Sequence, residues 1–343
     1  MKNYKMVERN KEQVCLLCMS RKADARGSHF APAGLIKHTI GKRNYEEAYA
    51  IDLANPNIDS HFGRSNLKNT DPTPTADLHV ADHIFCQQCE NDLARIESKV
   101  IPFLDKKILV ASPKQEFRQH VISPEGILME TDSFDRKTFL LFFYSVIWRI
   151  SLQQRLESGS VLVSIGFDET IRRFLSIWIN NSPEEFAKAN VFFPFEVVLL
   201  TSTARDIEGA TFINPSIYNS NPYVFYMGPF IGLIYYEAGP GTNKITGIPA
   251  VLVSRTYAND GGQKSVRVID MAKEAWDAAN YVMVDYGHKE YLMNMVKLVA
   301  EKKRISLRDA GILMQHKTEE MLQSGQGFDW PAAAQAAFES VVK

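Results

Sequence analysis

The stretch CLLCMSRKADARGSHFAP, Cys15 to Pro32, opens with a Cys-x-x-Cys pair and closes on Ser-His-aromatic-x-Pro. Its counterpart is HIFCQQCENDLARIE, His83 to Glu97, with a second Cys-x-x-Cys pair. Each pair presents two thiolates from a tight knuckle, and two knuckles complete a tetrahedral zinc site. Cys15, Cys18, Cys86 and Cys89 are therefore the expected ligands of one structural zinc. The 67 residues between the pairs are no obstacle, because loop-closure entropy grows only logarithmically with length. These are all four cysteines of the chain, so none is left over. Four buried apolar cysteines, or a redox dithiol, are the alternatives. His79 and His83 stand just before the second knuckle, where either could replace a ligand or bind a second metal.

Outside the knuckles the totals are ordinary. With 343 residues, 45% hydrophobic and 23% charged, the chain can bury a core without disulfides. A net charge of -1 excludes a whole-protein field that attracts polyanions. The first 45 residues differ, holding ten Lys or Arg against three acids. Arg21, Lys22, Arg26, Lys37, Lys42 and Arg43 are the candidate nucleic-acid contacts within this basic patch; a solvated charged surface is the other reading. The opening MKNYKMVERNKEQVC lacks the apolar run of a signal peptide. The runs FLLFFYSVIW and YVFYMGPFIGLIYY fall short of the roughly 20 residues that span a bilayer. A cytoplasmic protein without a membrane partner is expected. In that compartment thiols stay reduced, and paired cysteines bind metal rather than bridge.

The pattern divides the chain into a zinc-binding domain at 1–112 and an α+β domain at 113–343. The first carries a polar insertion at about 55–80, NPNIDSHFGRSNLKNTDPTPTADLH, which reads as a long loop. After the second knuckle, Leu93, Ile96, Val100 and Ile101 recur at helical spacing. DRKTFLLFFYSVIWRISLQQRLE predicts a helix buried on most sides. FDETIRRFLSIWINN predicts a second, with Asp168 as N-cap and Asn180-Asn181 at its end, and SPEEFAKAN a short third. VFFPFEVVLLTST, YVFYMGPFIGLIYYE and GIPAVLVSRTY are β-branched, aromatic and interrupted by Gly or Pro, and predict strands. KSVRVIDMAKEAWDAANYVM begins as a strand and becomes a helix. Residues 288–342 are expected to be largely helical.

In this order, CLLC, SHFAP, CQQCE and SVIWRIS resemble the zinc-braced HNH (His-Me finger, ββα-metal) nucleases. More narrowly, they resemble a bacterial group that carries Cys-x-x-Cys, Ser-His-Ile-Ile-Pro, Cys-x-x-Cys-Glu and then a helix with Ser-Ile-Leu-Trp-Arg. The match covers residues 12–155 as motifs. It implies a treble-clef or ββα-metal-like N-terminal domain followed by a larger helix-and-sheet domain.

The resemblance further implies a metal-dependent endonuclease acting on nucleic acid, DNA in the first instance. Such domains also serve as effectors of anti-phage defence. His29 would be the general base, and Glu90 or Asn91 the ligand of a catalytic Mg²⁺ or Mn²⁺, a hard cation that suits a carboxylate. Ser28-His29 stands where that family has His-His or Asp-His, and Glu90 stands where it has His or Asn. The competing expectation is a zinc-stabilised module that binds nucleic acid or a protein partner, or assembles with itself, without chemistry. Arg149 would contact a phosphate or a partner, or else pair with an acid where its helix surfaces.

Overall fold

The computed structural model describes residues 9–32, 34–35, 47–51, 58–62, 80–110, 116–159, 164–181, 193–204, 213–215, 221–227, 229–236, 247–260, 264–323 and 330–342. It is a mixed α+β structure. Two short strands, β1 (Ser28–His29) and β4 (Val80–Ala81), pair antiparallel, with Ser28 opposite Ala81 and His29 opposite Val80. Helix α1 (Gln87–Phe103) follows at once. Between β1 and β4, the strands β2 (Glu47–Ile51) and β3 (Ile58–Phe62) form a second two-stranded ribbon. The polar insertion therefore holds a strand at its start rather than being loop throughout.

Helix α1 forms because Leu93, Ile96 and Val100 line one buried stripe. It widens into a π-turn at Leu104–Ile108, where the Leu109 amide donates to the Leu104 carbonyl at 2.9 Å. A hairpin of β5 (Arg118–Ser123) and β6 (Gly126–Thr131) comes next. Helix α2 (Arg136–Ser158) starts where the Asp135 carboxylate accepts from the Thr138 amide at 2.9 Å. It stops at Gly159, whose φ of 72° is left-handed and cheap only for glycine. Residues 139–152 of α2 are almost entirely buried, as the continuous apolar run predicts.

Helix α3 (Ile165–Asn180) is capped by Ser164, not Asp168. Asp168 lies in the first turn, buried, with its carboxylate on Arg155 at 2.9 Å. An acid one turn in faces the positive helix end without capping it. SPEEFAKAN, at 182–190, lies outside the described residues.

The main sheet has seven strands in the order β5-β6-β11-β7-β10-β9-β8, adding β7 (Glu196–Thr201), β8 (Ile213–Pro215), β9 (Tyr223–Met227), β10 (Phe230–Tyr235) and β11 (Val266–Met271). Every pairing is antiparallel except β11 with β7. β9 and β10 are buried on both faces, so the sheet is covered on both sides there. Phe230 meets Phe143 of α2 edge-on at 6.2 Å. GIPAVLVSRTY is not a strand: Ala250–Val253 and Arg255–Tyr257 are 3₁₀ turns. A short apolar run does not decide between strand and turn by itself, and here Pro249 and the Ser254 side chain cap the turns.

The described residues fall into two compact units, one within 1–48 and 61–279, the other within 49–60 and 280–343. The expected boundary at 112/113 lies outside the described residues. On either side of it, Leu93, Ile96 and Phe103 share one core with Phe139, Trp148 and Phe230. The second unit is helical: the later part of α4 (Lys273–Lys303), α5 (Leu307–Gln323) and α6 (Trp330–Val342) bury Met295, Val299, Met314 and Phe338 together. Among the described residues, no helix is long and apolar enough to cross a membrane.

Candidate functional site

The first knuckle is a tight turn. The Cys15 amide donates to the Arg21 carbonyl at 2.8 Å and the Met19 amide to the Cys15 carbonyl at 3.0 Å. Met19 takes a left-handed φ of 56° to close it. The turn is sewn to the segment before the second knuckle, since Leu16 donates to Ile84 at 3.0 Å and Ala25 to Phe85 at 3.1 Å. Cys86 then occupies the N-cap of α1 and Cys89 its first turn.

Those bonds bring all four sulfurs within 4.8 Å of one another, with Cys18 and Cys86 4.0 Å apart. A tetrahedral zinc with sulfurs at about 2.3 Å requires about 3.8 Å between sulfurs, so the donor set fits. The four cysteines could hold a zinc ion, and all four are buried. Left to themselves the thiols cannot all ionise. Cys15 drops to about 5 chiefly because it accepts a hydrogen bond from Cys89, while that same bond and burial push Cys89 up. Burial also raises Cys86. Four thiolates together need a cation. The surrounding charge is already positive: Arg21 donates to Cys86 Sγ at 3.7 Å, Arg9 acts on Cys15 and Arg172 on Cys18.

His83 is not a ligand of this cluster. Its Nδ1 donates to the Ala23 carbonyl at 2.9 Å. His79 lies outside the described residues.

Strand β1 carries the motif histidine. Gly27, with a left-handed φ of 66°, turns the chain into β1, and its amide donates to Asp82 Oδ1 at 2.9 Å. His29 is half-buried and Ser28 fully buried. Both face Glu90. The Ser28 hydroxyl and the charges of Arg149 and His29 favour the ionised Glu90, but desolvation outweighs them and its pKa is raised. Ser28 Oγ and Glu90 Oε1 are both buried, and neither makes a well-shaped hydrogen bond. A buried carboxylate oxygen without a donor fits a cation ligand. Glu97, seven residues along the same helix face, adds a second carboxylate nearby.

Asn91 does not join this group. One helix position is a rotation of about 100°, and Asn91 is exposed, accepting from Gln87 Nε2 at 3.1 Å. It lines an open groove of about 330 Å³ with Arg21, Lys22, Asp24 and Gln88, beside the cysteines. Arg26 is exposed, and Lys22 pairs with Glu12 at 2.5 Å. Lys37, Lys42 and Arg43 lie outside the described residues.

Two residues gain a place that spacing alone did not assign. Asp24 Oδ1 accepts from the Gln87 amide at 2.8 Å, capping α1 from the first knuckle's loop. Arg149 is indeed paired with an acid, Glu97, but in the interior rather than where α2 surfaces. No family model, no curated protein and no solved structure matches this chain.

Proposed function

We propose that this chain is a metal-dependent endonuclease of the HNH type, built on a zinc-braced treble clef, with DNA as its first substrate. The observation that carries the reading is the joining of β1 to α1: the β1–β4 pair runs directly into α1, and Arg149 ties the His29 carbonyl to Glu97 of that helix, while Glu90 in its first turn feels the charge of His29. In this reading Cys15, Cys18, Cys86 and Cys89 hold a structural zinc. That site is closed and keeps no open position for chemistry. The base must then come from outside it, and imidazole is the side-chain base suited to neutral pH. His29 takes the proton from the attacking water.

Glu90 Oε1 is the ligand that would hold Mg²⁺ or Mn²⁺, which when bound neutralises charge on the scissile phosphate. Few protein ligands suffice, because Mg²⁺ is commonly held by one or two carboxylates plus water and phosphate. Arg21, Lys22 and Arg26 supply positive charge for the backbone on the adjoining face.

A second reading, a module that binds without cutting, is favoured by one observation. Among the described residues, three or more potential ligands converge at the cysteines and not around His29. The test is nicking of supercoiled plasmid with Mg²⁺ or Mn²⁺ by the native chain and by His29→Ala. Loss of a general base reduces rate by about 10²–10⁴; zinc content should not change. Equal cleavage by both removes His29 from the mechanism. Nucleic-acid binding without cleavage by the native chain selects the second reading.

A further inference from the structure

The guanidinium of Arg149 is 2% exposed and has a partner on each side. Its Nη2 donates to Glu97 Oε1 of α1 at 2.7 Å. Its Nη1 donates to the backbone carbonyl of His29 at 3.1 Å. Its Nε donates to the Ser145 carbonyl of its own helix at 3.2 Å. One planar group thus touches β1, α1 and α2. We infer that Arg149 is a positioning residue, clamping the His29 backbone so that the imidazole is held beside Glu90.

Three arguments separate this from a plain interior ion pair. First, β1 is two residues long and its ladder to β4 has two pairs, and a two-stranded pair is marginal without further packing. The strand's own hydrogen bonds are too few to fix His29. Second, the pair with Glu97 would satisfy the charge alone, yet a second prong reaches the residue that the proposed chemistry uses. Third, only arginine presents donors in a rigid fork able to bind a carbonyl and a carboxylate at once; lysine is a point donor on a flexible stem. The neighbouring Trp148 packs on Phe85 at 5.8 Å between centroids, so consecutive residues of α2 hold the segment just before α1 and Glu97 within it.

The clamp rests on the nuclease reading for its purpose, but its geometry can be tested separately. Full-length, zinc-loaded chains with ¹³C-labelled histidine would be compared for native, Arg149→Lys and Arg149→Met proteins. The His29 Cε1–H line is assigned by its loss in His29→Ala. The expected result is a shifted or broadened His29 line in both variants, with the other seven histidine lines of the eight unchanged. An unchanged His29 line in a folded, zinc-loaded Arg149 variant overturns the clamp, whatever the nicking assay finds. If neither variant folds, Glu97→Gln decides: it keeps the volume, removes the charged partner and should perturb the same line, and an unperturbed line there overturns the inference.

Where the native chain cleaves plasmid, Arg149→Lys should lower kcat by about 10²-fold, the cost of a base misplaced by about 1 Å, and leave KM unchanged. A rise in KM at constant kcat would assign Arg149 to substrate binding instead. A native chain that does not cleave ends the nuclease reading and leaves the line-shape result standing.

Discussion

The first turn of α1 carries two neighbouring groups of side chains, the cysteine face and the glutamate face, and they are built differently. On one, Cys86 and Cys89 meet Cys15 and Cys18 so closely that the four sulfurs define a site by themselves. On the other, Glu90 feels the Ser28 hydroxyl and the charge of His29, with one buried oxygen left without a well-shaped hydrogen bond. The cysteine face is closed, and its surroundings already carry the opposing charge of Arg9, Arg21 and Arg172. The glutamate face has one buried carboxylate oxygen without a well-shaped hydrogen bond and, among the described residues, no cluster of three or more potential ligands. A closed donor set suits a brace, and an incomplete one suits a place where a substrate enters.

The largest effect should come from breaking the brace. Cys89→Ser should abolish bound zinc and unfold residues 9–32 and 80–110. Structural zinc contributes on the order of 10 kcal/mol in small metal-folded domains, more than any single contact here. Elemental analysis and the thermal unfolding curve measure both consequences. A variant that keeps one zinc per chain and the native midpoint would remove the distinction between the two faces.

Next in size is Trp148→Ala. Trp148 is 1% exposed and packs on Phe85 just before the second knuckle. Truncating a buried Trp costs about 3–5 kcal/mol. Zinc should stay bound in the variant at temperatures where it is folded, because no ligand is touched. Urea midpoints at matched zinc load check this. A loss below 1 kcal/mol would mean that α2 does not support the first turn of α1.

The two faces were unequally legible in the sequence. Cys-x-x-Cys announces its own geometry, because two thiolates on one short knuckle have few alternatives. The apolar stripe of α1 and the continuous apolar run of α2 were equally plain. Arg149 was not, because its partners, Glu97 and the His29 carbonyl, come from two distant segments. Backbone carbonyls leave no mark on residue identity. The β5–β6 hairpin went unread for a related reason: β5 has an exposed edge face, RQHVIS, whose only strongly apolar residues are Val121 and Ile122. Asp168 and the 3₁₀ turns at 250–257 were misread because local propensity was followed where a neighbouring Ser or Pro decided the matter.

A smaller effect sharpens the glutamate face. Burial raises the Glu90 pKa above that of the unfolded chain. Its contribution to stability is therefore greatest below the ordinary carboxylate range and is lost as pH rises through the folded-state value. Glu90→Gln should be the more stable protein at neutral pH, and the difference should vanish in acid. A divalent cation bound by Glu90 favours the charged form and reverses the order. At ten times its Kd, Mn²⁺ should stabilise the native chain by about 1.4 kcal/mol and leave Glu90→Gln unmoved. Equal stabilisation of both by Mn²⁺ would place the cation elsewhere.

The smallest effect separates metal from scaffold on the cysteine face. An α-helix begins with amide donors that lack partners, and the N-cap side chain usually supplies one. Here the N-cap is Cys86, whose sulfur belongs to the four-cysteine cluster and makes no cap hydrogen bond. Asp24 substitutes, reaching the Gln87 amide at 2.8 Å from the loop after the first knuckle. Asp24→Ala should therefore cost about 1 kcal/mol, the usual worth of a cap, without lowering zinc content. Asp24→Asn keeps an acceptor oxygen but loses the negative charge at the positive end of the helix, so it should cost less, a few tenths of a kcal/mol. Denaturant midpoints for the three proteins at saturating zinc give the order native, Asn, Ala. If Asp24→Ala instead releases the metal, the cap and the cysteine site are one cooperative unit, and the knuckles do not hold their geometry independently of the helix they start.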